Sequence, residues 1–301
     1  MKKNANLEIV DEEIDAAEEV WKRNKNSGGD VNLKSFDLHS ELNSEFWTEN
    51  SDGDYSLDEE TRDQLLSIAM DFFDSLDLAE MDPAGKMTSR EVFDRYIVGV
   101  QMLGSLASYN YSSYADVDLH LIMDEEAFVG ERNEFALNLL KKYLAKCKNS
   151  WNLLHNGLNV HGYDVELYVQ DVNEENAANG VYSLMDGEWV KKPEKMSDAG
   201  LDRALVVKKV LDYIGQIDSI ESKINSDTPV ENDAQLEALE TKLSDIKTKI
   251  VMGRREALAA GKGEMCNENI IFKALRRTGH IGKINDLLTE IYDRRNSMDE
   301  E

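Results

Sequence analysis

Apolar positions recur along the first two thirds of the chain with both a helical and a strand period. In residues 57–76 they lie three or four positions apart, which predicts a long amphipathic helix. Residues 96–103 and 116–123 are short segments bounded by turn-forming residues, which is typical of strands. The elements predicted after them are a helix at 131–154, a strand at 160–170 and a hairpin turning at Asp186-Gly187. This alternation predicts an α/β fold of the α+β type, with a small mixed sheet.

The segment before this region is polar. The pattern of residues 9–25 predicts a polar helix, and the glycine-containing segment 26–30 after it is either a tether or part of a weakly docked arm. Residues 48–59 superficially resemble a calcium loop, but Thr48 stands where the first carboxylate ligand would be needed. We therefore predict an acidic loop that leads to a helix N-cap at Ser56.

After Ser197 the pattern is wholly helical. The predicted helices are 201–224, 234–260 and 267–295, joined by polar turns. They suggest a helical bundle or appendage, although the two longer helices could instead form a protruding hairpin. The predicted domains are a polar N-terminal arm and loop at 1–56, an α/β domain at 57–196 and a helical C-terminal domain at 197–301.

The chain is strongly acidic, with a formal net charge of -26. This charge repels phosphate backbones and argues against binding to long nucleic acids. From Val251 onward, however, acids and cations balance, so the excess of acid lies before that point. The dense cations of the C-terminal region are Arg254, Arg255, Lys273, Arg276 and Arg277. They form either a solvated face or a basic surface that grips a triphosphate or the end of a nucleic acid.

Cysteine and hydropathy patterns point to a cytoplasmic protein. Cys147 and Cys266 lie far apart, without the spacing of a zinc site or a disulfide framework. No apolar run approaches the length that a membrane span requires, and Met1-Lys2-Lys3 leads into polar sequence. We therefore expect a protein of the cytoplasm that does not enter the membrane.

Two strands carry pairs of acids at alternate positions. Asp116 and Asp118 share one face of their strand, because side chains alternate with a period of two. Asp164 and Glu166 do the same on the third strand. Clustered carboxylates repel one another, and a divalent cation is the simplest compensation. Ligands made only of oxygen favour Mg²⁺ or Mn²⁺ over zinc, so the four acids form a candidate metal site.

Gly104-Ser105 follows the first predicted strand, and ten residues separate Ser105 from Asp116. Glycine allows close approach to the backbone, while free N–H groups and a hydroxyl can bind a triphosphate. Gly-Ser alone and Asp-x-Asp alone are each weak evidence for a nucleotide-binding site. Their order and spacing, followed by an acidic strand, are much more specific.

The stretch from Leu103 to His120 resembles the GS-x(9–13)-[DE]-h-[DE]-h signature of polymerase-β-like nucleotidyltransferases, where h is apolar. More narrowly, the chain is similar to uncharacterised nucleotidyltransferase-like proteins of large tailed bacteriophages, which would place it in the host cytoplasm. The superfamily likeness covers about residues 60–195. It implies a nucleotidyltransferase core with a helical C-terminal region.

By this resemblance, Asp116 and Asp118 would hold two Mg²⁺ or Mn²⁺ ions and a third acid would hold the catalytic one. That third acid would also orient or deprotonate the incoming nucleophile. Many members of the family have Asp at this position, whereas Glu166 is best placed here and Asp164 is the alternative. The candidate nucleotide-binding residues are Gly104, Ser105, Tyr182, Arg276 and Arg277.

Several aromatic candidates have two interpretations. His120 shares the face of Asp118 and has either a structural role or a contact with a carboxylate or phosphate. Tyr182 contacts the nucleotide or packs in the core. The tyrosines of the loop before Asp116 stack on a base or pack within the turn; they are Tyr109, Tyr111 and Tyr114.

The sequence therefore predicts a Mg²⁺-dependent enzyme that moves a nucleoside monophosphate from an NTP to an acceptor hydroxyl. The acceptor would be a small molecule, a second nucleotide, a protein or an RNA end. The alternative is a catalytically silent protein that uses the same fold to bind a nucleotide or a host protein.

Overall fold

The structure is a computed structural model, and it describes residues 33–81, 86–130, 134–155, 157–176, 178–225 and 232–297. The chain divides into two compact units. The sheet unit comprises Ser35–Met196, and the C-terminal unit begins at Ser197. The predicted polar helix at 9–25 lies outside the described residues. Among the described helices, none is both long enough and apolar enough to cross a bilayer.

The sheet unit contains a six-stranded mixed sheet, with a short helix and a long helix between its second and third strands in chain order. Its strands are β3 (Ile97–Leu103), β4 (Val117–Met123), β5 (Asn159–Val160), β6 (Tyr163–Asp171), β7 (Val181–Ser183) and β8 (Glu188–Lys191). A separate hairpin pairs β1 (Trp47–Glu49) with β2 (Tyr55–Leu57). Among the described residues, the helices of this unit are α1 (Glu59–Ser75), α2 (Ser89–Tyr96), α3 (Glu125–Val129) and α4 (Glu134–Leu154), with a 3-10 turn at Leu78–Met81. A further 3-10 turn, Leu33–Phe36, lies where the unit begins.

The strand order is β5-β6-β4-β3-β7-β8. Only β4 and β6 run parallel in this sheet, and the other neighbours are antiparallel. Parallel neighbours need a crossover, which α3 and α4 supply between β4 and β6. The predicted strands at 96–103, 116–123 and 160–170 and the hairpin at Asp186-Gly187 are thus confirmed, with ends shifted by up to three residues.

Alternation along β4 and β6 separates a buried face from a more polar one. Val117, Leu119 and Leu121 of β4 are buried, as are Val165 and Leu167 of β6. They pack in one core with apolar residues of α1 and α4, among them Leu65, Phe72, Leu140 and Leu144. Fully burying a side chain of this size contributes about 2 kcal/mol. The core therefore fixes the register of both strands, since a shift by one residue would turn the acids inward.

The start of α1 differs from the sequence prediction. Asp58, rather than Ser56, caps the helix, and its Oδ1 accepts a hydrogen bond of 2.9 Å from the Thr61 N–H. Ser56 lies within β2 and is paired with Thr48. Both residue types are good N-caps, so the nearby strand decided which of them caps the helix.

The C-terminal unit contains four helices among the described residues: α5 (Arg203–Ile224), α6 (Asp233–Ala259), α7 (Asn267–Arg277) and α8 (His280–Ser297). The predicted single helix at 267–295 is wrong, because Gly279 takes a φ of 77° and separates α7 from α8. The long helices α5 and α6 each pack against α7 and α8 more than against each other. This arrangement favours the bundle over the protruding hairpin.

Candidate active site

Three chain segments meet at one end of the sheet. Leu103, the last residue of β3, is the antiparallel partner of Asp118 near the start of β4. Asp118 is in turn the parallel partner of Glu166 near the start of β6. Paired residues project their side chains to the same face, so Asp118 and Glu166 lie side by side. The turn after β3 begins at the same end, at Gly104.

Gly104 lies directly against the carboxylate of Asp118. Its φ is 81°, a left-handed conformation that glycine adopts without steric cost. A Cβ added to Gly104 would overlap Oδ2 of Asp118. Any other residue would therefore be strained and would displace this carboxylate. The geometry explains why a glycine stands before Ser105, which is partly exposed in the same turn.

The loop that follows Gly104 is held firmly by the rest of the sheet unit. The indole N–H of Trp47 donates to the carbonyl of Leu106 over 2.7 Å, in a buried hydrogen bond. The Asn179 amide donates to the Ser108 hydroxyl at 2.7 Å. A Cβ on Gly180 would overlap the carbonyl oxygen of Ala107. These contacts fix the backbone beside the acids, as a preorganised site requires.

The strand register distinguishes the two candidates for the third acid. Glu166 pairs with Asp118, whereas Asp164 pairs with Asn159 on the opposite side of β6. Asp164 and Glu166 are exposed, and Asp118 is partly exposed. Asp116 immediately precedes β4. The structure thus brings Glu166 beside Asp118 and leaves Asp164 one pleat nearer the start of β6.

The oxygen ligands fit a divalent ion that also binds a phosphate. Mg²⁺ is commonly held by one or two carboxylates together with water and substrate phosphates. Asp118 and Glu166 provide such a pair on one face of the sheet. Among the described residues, no group of three or more His, Cys, Asp or Glu is placed to hold an ion by itself.

His120 lies two residues beyond Asp118 and belongs to a hydrogen-bonded network. Its Nδ1–H donates to Oε1 of Gln170 at 2.7 Å, and the Gln170 amide donates to the carbonyl of Glu174 at 3.0 Å. Its ring meets the ring of Tyr168 edge-on at 5.0 Å. Burial lowers the pKa of His120 below its ordinary value, and the bond to Gln170 opposes this. These contacts favour the structural interpretation of His120.

Tyr182 lies in the core. Its side chain is 2% exposed, and its hydroxyl donates to the carbonyl of Gly187 at 2.8 Å. Its ring is 5.1 Å from those of Trp47 and Trp189. Little of the ring surface is therefore available to a base, and of its two interpretations the structure favours packing.

The loop tyrosines differ in their surroundings. Tyr109 is buried, and its carbonyl accepts a hydrogen bond from the His39 N–H. The ring of Tyr111 stacks on His39 with 3.9 Å between centroids. Tyr114 is 46% exposed. Of the three, Tyr114 presents the most surface for stacking on a ligand.

Arg276 and Arg277 lie at the end of α7, in the C-terminal unit. The acids and Gly104 belong to the sheet unit. A contact of these arginines with a bound nucleotide therefore stays a prediction from the sequence.

A second group of charged residues lies at the opposite end of β4 and β6 and was not expected from the sequence. Glu125, the first residue of α3, is 3% exposed, and Asp171, the last residue of β6, is 6% exposed. The Lys141 ammonium lies 3.6 Å from a Glu125 carboxylate oxygen and 3.8 Å from one of Asp171. Burial raises the pKa of Glu125 to about 7; Lys141 opposes this shift and Asp171 adds to it.

A comparison of the chain with known protein families, curated proteins and solved structures found no match. The interpretation of the site therefore depends on its residues and their geometry.

Proposed function

We propose that the protein is a Mg²⁺-dependent nucleotidyltransferase that moves a nucleoside monophosphate from an NTP to an acceptor hydroxyl. The observation that carries this proposal is the meeting of Gly104, Asp118 and Glu166 at one end of the sheet. The resemblance of residues 103–120 to polymerase-β-like nucleotidyltransferases supplies the reaction class, and the sheet end supplies a geometry suited to it.

Each segment has a distinct task in this proposal. The backbone at Gly104 has no side chain to keep a triphosphate away, and the Ser105 hydroxyl can donate to a phosphate oxygen. Asp118, with Asp116 just before it, would hold the ion that accompanies the nucleotide. Glu166 would complete the ligand set and accept a hydrogen bond from the attacking hydroxyl, which orients the nucleophile. Mg²⁺, when bound, would neutralise charge on the transferring phosphate.

The acceptor is constrained by the charge of the chain. A net charge of -26 disfavours a long polyanionic template. A small molecule, a second nucleotide, a protein hydroxyl or a short RNA end is compatible with such a surface.

The test is the release of pyrophosphate from labelled NTPs with Mg²⁺ or Mn²⁺, in the presence of a lysate that contains candidate acceptors. Mass spectrometry then identifies material modified by the wild type and unmodified by Asp118→Asn. Glu126→Gln is a matched control, because Glu126 is an exposed acid of the same unit at the other end of the sheet.

The expected result is acceptor labelling by the wild type and by Glu126→Gln, and none by Asp118→Asn. The silent binding protein predicts a different result. It would bind a nucleotide or a protein without pyrophosphate release under any of these conditions, and that result would overturn the proposed reaction.

A further inference from the structure

Helix α4 presents different side chains on its two sides. Its inner side packs in the core of the sheet unit through Leu140, Leu144 and Trp151. On its outer side, exposed residues follow one another at alternating spacings of four and three, which is the spacing of a coiled-coil seam. These residues are hereafter called the outer stripe: Phe135, Leu139, Lys142, Lys146, Asn149 and Leu153.

The outer stripe combines apolar ends with a basic middle. Phe135 is 74% exposed, Leu139 is 55% exposed and Leu153 is 77% exposed. Between them lie two lysines and no acid, whereas the chain as a whole has 60 acidic residues against 34 basic ones. Large apolar side chains that lie together at a surface with polar neighbours are typical of an interaction site.

The lysines of α4 differ in their surroundings. Lys141 is paired with the two buried carboxylates at the far end of the sheet, and Lys148 lies 5.0 Å from the ring centroid of Tyr168. Lys142 and Lys146 form no ion pair with any residue that the structure describes. Their positive charge is therefore open to carboxylates of another molecule.

A second copy of this chain is a poor occupant of the outer stripe. If two outer stripes packed antiparallel about a two-fold axis, Lys142 of one copy would face Lys146 of the other. Parallel packing would set each lysine against the same lysine of the other copy. Both arrangements bring like charges together at the centre of the interface, where they repel.

A membrane and a nucleic acid also match the outer stripe poorly. The lysines lie between the apolar residues, so insertion of Phe135 and Leu153 into a bilayer would carry the ammonium groups inward with them. A nucleic acid would be repelled by the net charge of -26, and its phosphates offer no apolar surface to the ends of the stripe.

We infer that the outer stripe of α4 is a docking surface for an acidic amphipathic helix of another protein. Such a helix would place carboxylates against the two lysines and apolar side chains against the two ends of the stripe. Phe135 and Leu153 are 18 residues apart, or about 27 Å along the helix axis, so about five turns of the partner would be in contact. This inference concerns α4 alone and does not depend on the proposed reaction.

The test begins with a displayed library of helical peptides of about six turns, in which the positions on one face are randomised. The library is selected for binding to the full-length protein. We expect the enriched peptides to carry apolar residues at both ends of that face and Asp or Glu in its middle. Fluorescence anisotropy then measures the affinity of the most enriched peptide, which should weaken as salt is added.

Variants of the protein locate the binding site of that peptide. Lys142→Glu combined with Lys146→Glu should weaken binding about tenfold or more, because attraction becomes repulsion. A second peptide, with lysine in place of the middle acids, should bind this variant better than wild type, which an unfolded variant could not do. The matched control is Lys242→Glu with Lys249→Glu, which makes the same charge change at exposed positions of α6 and should leave binding nearly unchanged.

Leu139→Ala tests the apolar part of the outer stripe and should weaken binding of the first peptide about tenfold. Circular dichroism checks that each variant is folded. The proposal is overturned if selection yields no saturable binder, or if the enriched peptides lack acids in the middle of their face. Equal affinities of the outer-stripe variants and the α6 control would also overturn it.

The other occupants are tested with the same variants. Sedimentation velocity measures self-association, and co-sedimentation measures binding to phosphatidylserine vesicles and to a short oligonucleotide. Dimerisation, vesicle binding or oligonucleotide binding that requires Lys142 and Lys146 would assign the outer stripe to that occupant and overturn the proposal. Failure of NTP turnover would bear only on the proposed function.

Discussion

The two ends of the parallel pair β4 and β6 carry the same residue types in contrasting surroundings. At the starting end, Asp118 and Glu166 are adjacent, and Glu166 is exposed. At the far end, Glu125 and Asp171 are buried, with Lys141 within 4 Å of both. Gly104 lies against Asp118 of the first pair, and α4 packs on β6 at the second.

The exposure of each pair to solvent determines how readily its carboxylates lose their protons and what compensates their negative charge. A carboxylate that is removed from water keeps its proton to a higher pH, as the pKa of about 7 at Glu125 shows. It also obtains compensation from within the protein, here from Lys141. The pair near Gly104 is open to solvent on the Glu166 side, so an external cation or phosphate can reach it. Burial thus gives the pair at the far end a partner within the protein, whereas Glu166 at the starting end stays exposed to solvent.

The largest expected difference between the two ends is in catalysis. If the proposed function is correct, Asp118→Asn should lower NTP-dependent labelling of the acceptor about a thousandfold, because it would remove a charge next to the transferring phosphate. Glu125→Gln, at the far end, should leave the rate within about a factor of three at pH 7. Rates of pyrophosphate release measure both. Equal losses at the two ends would contradict the assignment of the site.

Within the open end, the two acids of β6 should differ. Glu166→Gln is expected to lower turnover about a hundredfold while largely sparing nucleotide binding, since Glu166 pairs with Asp118. Asp164→Asn, one pleat away and paired with Asn159, should have a milder effect. Calorimetry with Mg²⁺ and NTP separates binding from turnover. An inactive Asp164→Asn together with an active Glu166→Gln would show that Asp164, and not Glu166, is the third acid.

Gly104→Ala tests the contact between the turn and Asp118. We expect a loss of about 3 kcal/mol in the free energy of unfolding, from the left-handed backbone and from the displaced carboxylate together. Gly162→Ala is the matched control, because Gly162 has a similar φ of 82° and nothing within 4 Å of an added Cβ. Its expected cost is about 1 kcal/mol. Urea denaturation measures both values, and equal costs would show that the carboxylate moves freely.

The buried end should show a pH dependence of stability. The folded chain holds a proton on Glu125 up to a pKa of about 7, whereas an ordinary glutamate releases it near 4.5. Between these values the unfolded chain binds fewer protons, so the free energy of unfolding falls as pH rises. Glu125→Gln removes this penalty and should stabilise the protein by about 2 kcal/mol at pH 8 and little at pH 4.5. Chemical denaturation across this range measures the effect; a constant difference between the proteins would contradict it.

The smallest effect is expected at the open end without metal. In EDTA, the double variant Asp116→Asn with Asp118→Asn should melt at the same or a higher temperature, since repulsion of about 1 kcal/mol is relieved. Wild type alone should gain stability from Mg²⁺ with NTP, through linkage. The measurement is the melting temperature of wild type and of the double variant, with and without Mg²⁺ and NTP. A destabilised double variant beside a wild type indifferent to both ligands would indicate ordinary surface acids.

The contrast between the two ends also shows what sequence patterns can predict. Strands β3, β4 and β6 were predictable from the sequence, because the residue patterns and turns that define them are local. The burial of Glu125 could not be predicted, because the sequence Asp124-Glu125-Glu126 after a strand is typical of an ordinary helix N-terminus. Only α4, folded over this end, brings Lys141 to it.

Other differences between the sequence predictions and the structure also arise from tertiary contacts. Ser56 and Asp58 satisfy the preferences of an N-cap equally well, and the pairing of β1 with β2 decided between them. Tyr182 is buried together with both of its neighbours in β7, and its ring packs against Trp47, which is distant in sequence. Tertiary contacts of this kind leave no local signal.

The crossover between β4 and β6 has a consequence for the order of assembly. Gly104 and Asp118 are 14 residues apart, so the antiparallel pair β3–β4 can bring them together by closing a short loop. Glu166 follows Asp118 by 48 residues and joins only when α3 and α4 have formed and β6 has docked. During synthesis, Gly104, Asp116 and Asp118 therefore emerge before β6, and the pair β3–β4 can form first. Until residues 163–171 have been synthesised, the growing chain lacks the Glu166 of the proposed site.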